Sequence, residues 1–231
     1  MTQKTPFPAI KAIVFDCDGV LVDTEALKFQ AWERVLRSRG ITLSPERYQL
    51  LVGLTGLAIL AQIGEELDPK IVDEKNELYW TFQKSGLKPI EPMISVVEWA
   101  KTMGIRLGVA SSACKSEVQT NLKYLKIMDY FDVVLSGKDD LKHYRDPLGV
   151  NKPQPYIYIE MSRQLGLEPK ECLVFEDSEF GVRAAKQAGC RVIAVPTQWT
   201  MRQNFKEADL VLDLSDGKEI VEIIRGFLQI Q

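Results

Sequence analysis

The sequence predicts an α/β fold, a doubly wound parallel (Rossmann-like) sheet with a small all-helical cap domain inserted after the first strand. Short apolar runs rich in β-branched residues alternate with segments of helical periodicity, which is typical of parallel sheets covered by helices on both faces. The alternation is interrupted once, because only helical patterns occur from about residue 25 to residue 88. The length of 231 residues suits one large domain that carries such an insert.

Six apolar runs are the candidate strands of the sheet. Runs that are apolar throughout indicate burial on both faces, as in parallel sheets. Between them, stripes such as Ile157, Met161 and Leu165 are interpreted as helix faces packed on the core, and Gly166 and Gly189 as helix stops. The candidate strands are residues 9–15, 106–110, 133–135, 172–175, 192–195 and 210–212.

The interruption of the alternation predicts the cap. Phe29, Trp32 and Leu36 share one helix face, and Pro45 and Pro69 stand where further helices would begin. The apolar stretch 50–63 is interpreted as buried helix and turn, because it is shorter than the ~20 residues of a bilayer span. The predicted division is therefore an α/β core of residues 1–24 and 89–231 and a helical cap of residues 25–88.

The composition argues against several function classes. The formal charge is 29 − 32 = −3 and basic residues do not cluster, so nucleic acid is not an expected partner. The four cysteines show no C-x-x-C spacing and are interpreted as free, buried thiols. The single histidine, His143, disfavours zinc and excludes phosphatases that need two histidines.

Nothing in the sequence predicts secretion or membrane insertion. The N-terminal residues lack an apolar run long enough for the core of a signal peptide. We therefore expect a cytoplasmic protein without a membrane partner. No feature demands more than a monomer, so a monomer is the expected state.

The candidate site lies where the predicted strands end, because ligands of open α/β sheets bind at the carboxyl ends of the strands. Polar residues stand at three of these ends, and one lysine precedes the fourth strand. They are Asp16, Cys17, Asp18 and Gly19 after the first strand, Ser111 and Ser112 after the second, Glu176, Asp177 and Ser178 after the fourth, and Lys152.

These residue types predict phosphoryl chemistry at a divalent metal. Carboxylates that converge repel one another unless a cation lies among them, and oxygen ligands favour Mg²⁺. A lysine and a serine hydroxyl beside the metal suit the oxygens of a phosphoryl group. Of Asp16 and Asp18, one can attack phosphorus to form an aspartyl-phosphate, and the other can exchange a proton with the leaving alcohol and with water.

Each of these residues also has a purely structural interpretation. The aspartate pair can form a turn, and Ser111 and Ser112 can cap a helix that begins near Lys115. Residues 176–178 can cap the helix that follows them, and Lys152 can be a solvated surface lysine. Their order along the chain and their common placement at strand ends favour the catalytic interpretation.

At these positions the chain resembles the haloacid dehalogenase superfamily, and specifically its β-phosphoglucomutase-like branch of small phosphatases and mutases. The resemblance covers nearly the whole chain. Its first and fourth motifs are specific strings, whereas the second and third are weak singly. The motifs are FDCDGVLVDTE (15–25), VASS (109–112), NKP (151–153) and VFEDSEFGVRAAKQAGC (174–190).

The resemblance implies Asp16 as the nucleophile and Asp18 as the general acid and base. It implies that Ser111, with Ser112 beside it, and Lys152 bind phosphate. It also implies that the helical insert is a mobile cap, hinged near residues 23–24 and 87–92, which closes over the site and selects the substrate. The implied Mg²⁺ ligands are Asp16, Asp18 through its carbonyl, Asp177 and, as a further carboxylate, Glu176.

The cap loop departs from the family pattern. In the mutases this loop usually carries a basic residue that grips a second phosphate of the substrate, but residues 52–59 contain none. Gly53, Leu54 and Thr55 in this loop are the candidate specificity residues. Together with Leu57 they indicate a rather apolar wall of the substrate pocket.

Two further departures surround the lysine motif. Relatives often have an aspartate where Tyr156 stands, so the support of Lys152 is expected to differ. Residues 142–150 look like an insertion just before the motif. We expect its His143 and Arg145 to lie in solvent.

These residues predict a Mg²⁺-dependent phosphomonoester hydrolase that acts on a small phosphorylated metabolite of the sugar phosphate class through an aspartyl-phosphate. One alternative is a sugar-phosphate mutase of the β-phosphoglucomutase type, which would return the phosphoryl group to a substrate hydroxyl. The cap loop without basic residues counts against it. Another alternative is a non-catalytic phosphate-binding regulator, against which the full set of candidate chemical groups argues.

Overall fold

The structure is a computed structural model that describes residues 9–64, 68–214 and 220–228. Within these ranges, strands and helices follow the predicted alternation. The strands are β1 (Ala12–Phe15), β2 (Val22–Asp23), β3 (Lys88–Pro89), β4 (Arg106–Ser111), β5 (Val133–Ser136), β6 (Cys172–Glu176), β7 (Arg191–Ala194) and β8 (Leu210–Val211). The helices are α1 (Glu25–Arg37), α2 (Pro45–Gln49), α3 (Gly56–Ile63), α4 (Pro69–Gln83), α5 (Glu91–Thr102), α6 (Lys115–Tyr124), α7 (Tyr156–Gln164), α8 (Glu179–Ala188) and α9 (Ile220–Leu228).

A parallel sheet in the order β5-β4-β1-β6-β7-β8 forms the centre of the described chain. β1 lies in the middle, where Phe15 pairs with Val109 of β4 and with Phe175 of β6. Because β4 and β6 end close to the end of β1, the residues that follow these strands meet at one edge of the sheet. The predicted α/β class is confirmed, and the candidate site lies at this edge.

Alternate side chains of the sheet pack against helices on its two faces. Ile13 and Phe15 of β1 belong to a buried core shared with α5, α6 and α9. Ala12 and Val14 belong to a second core shared with α7 and α8. Burial of apolar surface on both faces is the main stabilising contribution to such a sheet. The helices on both faces correspond to the doubly wound arrangement that the sequence predicts.

The helices α1 to α4 enclose a third hydrophobic core of their own. Trp32 of α1 packs there with Tyr48 of α2 and Leu60 of α3. Pro45 and Pro69 are the first residues of α2 and α4, as predicted, because proline fits the first helical turn without losing a hydrogen bond. The interrupted alternation therefore does correspond to a helical insert after β1.

A short antiparallel pair of strands, which the sequence did not predict, connects the helical insert to the rest of the chain. Val22 of β2 pairs with Pro89 of β3, and Asp23 pairs with Lys88. Strands of two residues leave no periodic signal in a sequence. The predicted division at residues 24/25 and 88/89 falls at this pair, although residues 1–8, 65–67, 215–219 and 229–231 of the predicted parts lie outside the described residues.

Some details of the prediction need correction. The first strand begins at Ala12 rather than at residue 9. The stretch 50–63 is not uniformly buried. Leu50, directly after α2, is 65% exposed, and Leu57 is 41% exposed because α3 packs through one face only. The cysteines are free, and one of them, Cys114, is only partly buried. Among the described helices, none combines the length and the apolar character that a bilayer crossing requires.

Candidate active site

Three carboxylates meet at the carboxyl edge of the sheet. Asp16 follows β1, Glu176 is the last residue of β6, and Asp177 comes directly after it. Each offers a carboxylate oxygen, and these oxygens all lie within 4.8 Å of one another. The three residues are buried. The structure therefore brings together the acidic residues that follow two neighbouring strands, as their placement in the sequence predicts.

Lys152 lies between two of these carboxylates. Its Nζ donates hydrogen bonds to Asp16 Oδ1 and Glu176 Oε1, both at 2.6 Å, and to the carbonyl of Ala110 at 2.9 Å. Burial acts against its charge, but the Asp16 and Glu176 carboxylates raise the pKa of Lys152 well above its usual value. The alternative of a solvated surface lysine is therefore wrong, and the ammonium group stays charged beside Asp16.

Glu176 is supported by hydroxyl groups on both of its oxygens. The Tyr158 hydroxyl of α7 donates to Oε1, which also accepts from Lys152. The Ser178 hydroxyl donates to Oε2 at 3.3 Å. The Lys152 ammonium lies 5.3 Å from the centre of the Tyr158 ring. The lysine is thus held in place without the carboxylate that relatives often have at the position of Tyr156.

The carboxylate cluster is electrostatically unfavourable even with the Lys152 ammonium beside it. Burial raises the pKa of Asp16 to about 7, with Glu176 adding to this effect and Lys152 opposing it. Burial, Asp16 and Glu176 also raise the pKa of Asp177 well above its usual value. Asp177 Oδ2 is buried and has no hydrogen-bond partner among the described residues. A divalent cation with oxygen ligands would relieve both problems, so these residues fit Mg²⁺.

The Asp18 carboxylate contacts the start of α1 instead of joining this cluster. Its Oδ1 accepts from Thr24 Oγ1 at 2.6 Å and lies 3.2 Å from Lys28 Nζ, and its Oδ2 accepts from Ser111 Oγ at 3.5 Å. Burial by itself would raise the pKa of Asp18, but Lys28 and Thr24 together lower that pKa below its usual value. Asp18 is therefore held as a carboxylate between the start of α1 and Ser111. Its role in proton transfer and a metal contact through its main-chain carbonyl both stay predictions.

The two serines after β4 have different environments. Ser111 is buried, and its Oγ accepts from the Ala113 backbone N–H at 3.1 Å, whereas Ser112 is exposed. Neither caps a helix, because Cys114 directly precedes α6. After β6, by contrast, Ser178 does cap α8, so the structural alternative is right for that residue.

The site opens into a cavity of about 560 Å³ between the sheet edge and α1 to α4. The predicted specificity residues Gly53, Leu54 and Thr55 line this cavity, and so does Ser112. The Thr55 hydroxyl is also the cap of α3, since it accepts from the Ala58 backbone N–H at 3.3 Å. The helical insert and the sheet edge thus line one common cavity that is partly open to solvent.

Two glycines allow close approaches around this cavity. Gly19 has φ +81°, and a Cβ there would lie 2.2 Å from Asp177 Oδ2. Gly53 has φ +94°, and a Cβ there would lie 3.0 Å from Phe180 Cδ2 of α8. Side chains other than glycine rarely adopt such angles. Glycine at the first position leaves room for Asp177, and glycine at the second lets the cap loop touch the core.

Residues 142–150, which the sequence marks as an insertion, do not contribute to the cavity lining. The side chain of His143 is 56% exposed and lies 3.6 Å from Glu160. Arg145 donates to main-chain carbonyls within the same segment. Both residues are therefore outside the site.

Lysines of the cap helices were missed by the sequence predictions. Lys28 of α1 pairs with Asp18, and Lys75 of α4 lies over the rings of Trp32 and Tyr79. In each helix a lysine precedes an aromatic residue by four positions, which places both on one helix face. This spacing could have shown that the lysine and the aromatic residue are neighbours. It could not show that their shared helix face lines the cavity, because that depends on how the helices pack.

The chain is similar to a known protein family over most of its length. A family model described as haloacid dehalogenase-like hydrolase matches residues 13–195. The chain belongs to the haloacid dehalogenase-like hydrolase family. This membership confirms the resemblance inferred from the motifs, and the matched range begins in β1 and ends just after β7, so it includes the three strand ends of the site.

Relatives of this hydrolase include phosphatases, which supports its placement in the phosphatase branch of the family. Protein CbbY from Rhodobacter capsulatus is 31% identical over 215 residues, which cover 87% of this chain and 91% of that protein. The phosphorylated carbohydrates phosphatase of Thermotoga maritima is 32% identical over 222 residues, which cover 92% and 91%. A solved structure of mutant CbbY from Rhodobacter sphaeroides in complex with xylulose-(1,5)bisphosphate is 27% identical, with a TM-score of 0.75 over 90% of this chain and 96% of that chain.

Proposed function

We propose that this hydrolase is a Mg²⁺-dependent phosphomonoesterase that acts on small sugar phosphates through an aspartyl-phosphate. The observation that carries the proposal is the contact of Lys152 with Asp16 and Glu176 inside a cluster of buried carboxylates. A fixed ammonium group beside a carboxylate nucleophile is suited to the negative charge of a phosphoryl group. The relative named as a phosphatase of phosphorylated carbohydrates supports the substrate class.

In the first step of the proposed mechanism, Asp16 attacks phosphorus. A carboxylate oxygen of Asp16 forms a bond to phosphorus while the ester P–O bond breaks. The pKa of Asp18 is low in the ligand-free protein, and the negative charge of a bound phosphoryl group raises it. The protonated Asp18 carboxyl then gives its proton to the leaving oxygen, so that a neutral alcohol departs instead of an alkoxide. Ser111 donates a hydrogen bond to a phosphoryl oxygen. Lys152, whose three N–H donors are directed to Asp16, Glu176 and the Ala110 carbonyl, contributes its positive charge beside the phosphoryl group and fixes the direction of the Asp16 carboxylate.

In the second step, water hydrolyses the aspartyl-phosphate. Asp18, now ionised, accepts a proton from the attacking water, and the bond between phosphorus and the Asp16 oxygen breaks. Inorganic phosphate leaves, and the Asp16 carboxylate is restored. Thr24 and Lys28 hold Oδ1 of Asp18, so Oδ2, which lies beside Ser111, is the oxygen available for both proton transfers.

We assign the Mg²⁺ ligands to Asp16, Asp177 and the main-chain carbonyl of Asp18. When bound, Mg²⁺ neutralises negative charge on the phosphoryl oxygens and on these carboxylates. Both oxygens of Glu176 already accept hydrogen bonds. In this assignment Glu176 therefore holds Lys152 in position, and it is not one of the three main Mg²⁺ ligands.

The helical insert acts as the substrate-selecting cap in this proposal. Residues 25–88 are taken as the cap, and residues 1–24 and 89–231 as the core. The separate hydrophobic core of α1 to α4, the β2–β3 pair at the connections and the cavity between the two parts support this division. Closure of the cap would exclude water that is not taking part in the reaction.

The test of the proposal measures phosphate release from sugar phosphates, nucleotides and small acid phosphates, with Mg²⁺ and with EDTA. We expect turnover of a subset of the sugar phosphates, and only with Mg²⁺. The substitution Asp16→Asn should lower the rate by ~10³-fold or more because it removes the nucleophile.

The matched control is Asp129→Asn, which changes an exposed aspartate away from the site and should leave the rate unchanged. Phosphate release that persists in the Asp16→Asn protein, or that is insensitive to EDTA, would contradict the mechanism. Conversion of a hexose 1-phosphate to the 6-phosphate without net phosphate release would show the mutase alternative instead.

A further inference from the structure

Trp80 of α4 exposes its indole ring to the cavity. It is 43% exposed and lines the cavity together with Leu57, which is 41% exposed. The other large apolar side chains that are exposed among the described residues lie outside the cavity lining. Single exposed apolar side chains are common on protein surfaces, but an indole ring inside a ligand cavity offers a large, rigid contact area. These two side chains therefore form an apolar wall on the cap side of the cavity.

The indole ring of Trp80 has no partner of its own within the described part of the chain. It belongs to none of the three hydrophobic cores, it makes no ring contact, and its N–H donates no hydrogen bond. Trp32 lines the same cavity but is 1% exposed and packs in the core of the cap. Packing therefore accounts for Trp32, whereas it does not account for Trp80.

The position of Trp80 is fixed by the end of α4. Three residues further along, Gln83 Nε2 donates to Asn121 Oδ1 of α6 at 2.5 Å, and both side chains are buried. Residues three or four apart share one helix face, so Trp80 lies one turn from this contact on the α4 face that turns towards α6. Glu117, four residues before Asn121 on α6, lines the cavity too. The indole ring therefore lies where α4 and α6 bound the cavity.

Polar groups accompany the ring at this end of the cavity. Asn76 lies one helix turn before Trp80 and also lines the cavity. Its Oδ1 accepts from Lys75, whereas its Nδ2 has no partner among the described residues. The half-buried Glu117 adds a carboxylate. Amide N–H groups and carboxylate oxygens are hydrogen-bond partners of hydroxyl groups, so an apolar ring face with a hydroxylated edge fits these surroundings.

We propose that Trp80 is a stacking platform for a sugar ring, and that the substrate is a sugar phosphate in its cyclic form. The inference rests on the proposed function, in which the phosphoryl group reacts at Asp16. Asp16 and Trp80 line one cavity, and its volume of about 560 Å³ is typical of small-molecule sites. The C–H groups on the face of a sugar ring are slightly positive and pack on the negative face of the indole. A ring also has fewer rotatable bonds to order on binding than an open chain.

Turnover by the wild-type protein with Mg²⁺ tests the platform with esters whose ring or chain form is chemically fixed. The ring ester 1,5-anhydroglucitol 6-phosphate is compared with glucitol 6-phosphate, and 2,5-anhydromannitol 1-phosphate is compared with mannitol 1-phosphate. We expect kcat/KM for the better ring ester to exceed that for its open-chain counterpart about tenfold. The difference should lie mainly in KM, because stacking remote from the reacting atoms holds substrate and transition state alike. Equal values within both pairs would overturn the proposal.

Substitutions of Trp80 test whether this side chain is the source of the preference. Trp80→Leu keeps an apolar side chain without a flat ring, so it should lose the preference while it still hydrolyses the open-chain esters. Trp80→Phe keeps a smaller ring and should retain part of the preference. The matched control is Tyr124→Leu, which removes a ring that is 52% exposed on α6 but outside the cavity lining, and it should retain the full preference. A preference that survives in Trp80→Leu would also overturn the proposal.

Tryptophan fluorescence reports on the contact between the sugar ring and Trp80. The Asp16→Asn protein, which lacks the proposed nucleophile, is titrated with the ring ester and Mg²⁺, and the titration is repeated with Trp80→Phe added. The chain has four tryptophans, so the difference between the two titrations isolates Trp80. Stacking should change the emission of the first protein by an amount that the second does not show. Identical changes in both proteins would contradict the proposal.

Thermal unfolding separates contact with the substrate from a structural role of Trp80. An exposed side chain outside the hydrophobic cores contributes little to stability, so Trp80→Leu should shift the Tm by no more than about 2 °C. If Trp80 instead held the cap in place, the same substitution would lower the Tm further and weaken turnover of ring and open-chain esters equally. That result would contradict the proposal.

Failure of this inference can be told apart from failure of the proposed function. Phosphate release from ring and open-chain esters at equal kcat/KM would remove the stacking platform and leave the hydrolase mechanism intact. Absence of phosphate release from every ester, together with no fluorescence change on titration with the ring ester, would remove both.

Discussion

At the scale of single residues, the candidate site depends on the close approach of Gly19 to Asp177. The chain turns at Gly19 directly after the Asp16–Asp18 segment, and the turn places its Cα against Asp177 Oδ2. This oxygen is also one of the buried acceptors without a hydrogen-bond partner among the described residues. The absence of a side chain at position 19 is therefore a condition for the proposed metal site.

The substitution Gly19→Ala tests this dependence. A methyl group at position 19 would displace the Asp177 carboxylate, and we expect Mg²⁺ affinity to fall by about 10- to 100-fold, as for other changes that misplace a metal ligand. Calorimetric titration with Mg²⁺ measures the effect. Gly40→Ala is the matched control, because Gly40 also has a positive φ, +76°, but nothing lies within 4 Å of the added Cβ.

Both glycine variants should lose about 1–2 kcal/mol of stability, because the left-handed conformation disfavours alanine in each, and Gly19→Ala should lose more because its methyl group also collides with Asp177. Only Gly19→Ala should lose Mg²⁺ affinity. Equal Mg²⁺ affinities of the two variants would show that Asp177 does not need this space.

The acidic residues of the site could be found in the sequence, whereas several of their partners could not. Asp16 and Asp177 each follow a run of apolar residues, so strand ends alone place them at one edge. Tyr158 and Lys75 lie within helices, and their contacts depend on helix rotation and on packing against other elements. No pattern along the chain specifies which carboxylate or cavity such a side chain reaches.

At the scale of elements, the serine that caps the N-terminus of α8 also contacts a carboxylate of the candidate site. Ser178 Oγ accepts from the Gly181 backbone N–H at 3.1 Å and donates to Glu176 Oε2 at 3.3 Å. One hydroxyl therefore caps a helix and orients the carboxylate that holds Lys152. Ser44 caps α2 in the same way, at 3.2 Å from the Arg47 backbone N–H, but its second partner is the exposed Glu46 carboxylate rather than a buried one.

Replacing each capping serine by alanine should separate these two contributions. Ser44→Ala should cost about 1 kcal/mol, the usual value for loss of an N-cap. Ser178→Ala should cost about 2 kcal/mol, because it also leaves the buried Glu176 oxygen without its donor. Thermal unfolding measures both, with roughly 2–4 °C per kcal/mol expected for a chain of this size. A smaller loss for Ser178→Ala than for Ser44→Ala would contradict this account.

The hydrophobic periodicity of the sequence predicted the long helices and strands but not the short strands. Hydrophobic runs predicted each strand of the parallel sheet to within a few residues, since these strands are buried on both faces. The β2–β3 pair escaped prediction because each strand has two residues and one of them contains Pro89. The relative order of the strands also depends on crossovers that no local pattern records.

At the scale of the whole molecule, the loop after β7 connects the sheet to the helical insert. The Trp199 ring lies 5.3 Å from the Phe29 ring of α1 and 5.7 Å from the Tyr48 ring of α2. Gln203 Nε2 donates to the Val52 carbonyl at 3.0 Å. These contacts stabilise the arrangement in which the insert covers the cavity.

The substitution Trp199→Ala should weaken that arrangement. Each aromatic pair contributes about 0.5–1.5 kcal/mol, so we expect KM for the preferred sugar phosphate to rise about tenfold, with a smaller change in kcat. Steady-state kinetics provide the measurement. Met201→Ala, a change at a 67% exposed residue of the same loop, should leave both constants unchanged. A fall in kcat with unchanged KM would show that Trp199 does not act through substrate capture.

The β2–β3 pair has a consequence for how this architecture diversifies. Because Val22 and Pro89 are pairing partners, the outgoing and returning chains of the insert stand one strand spacing apart, about 5 Å. A replacement of any length or composition can be grafted between them, provided that its two ends meet the same narrow gap. Under the proposed function, substrate preference is then exchanged with the insert while Asp16, Lys152 and Asp177 are inherited unaltered, and only the support that Lys28 gives to Asp18 has to be supplied again.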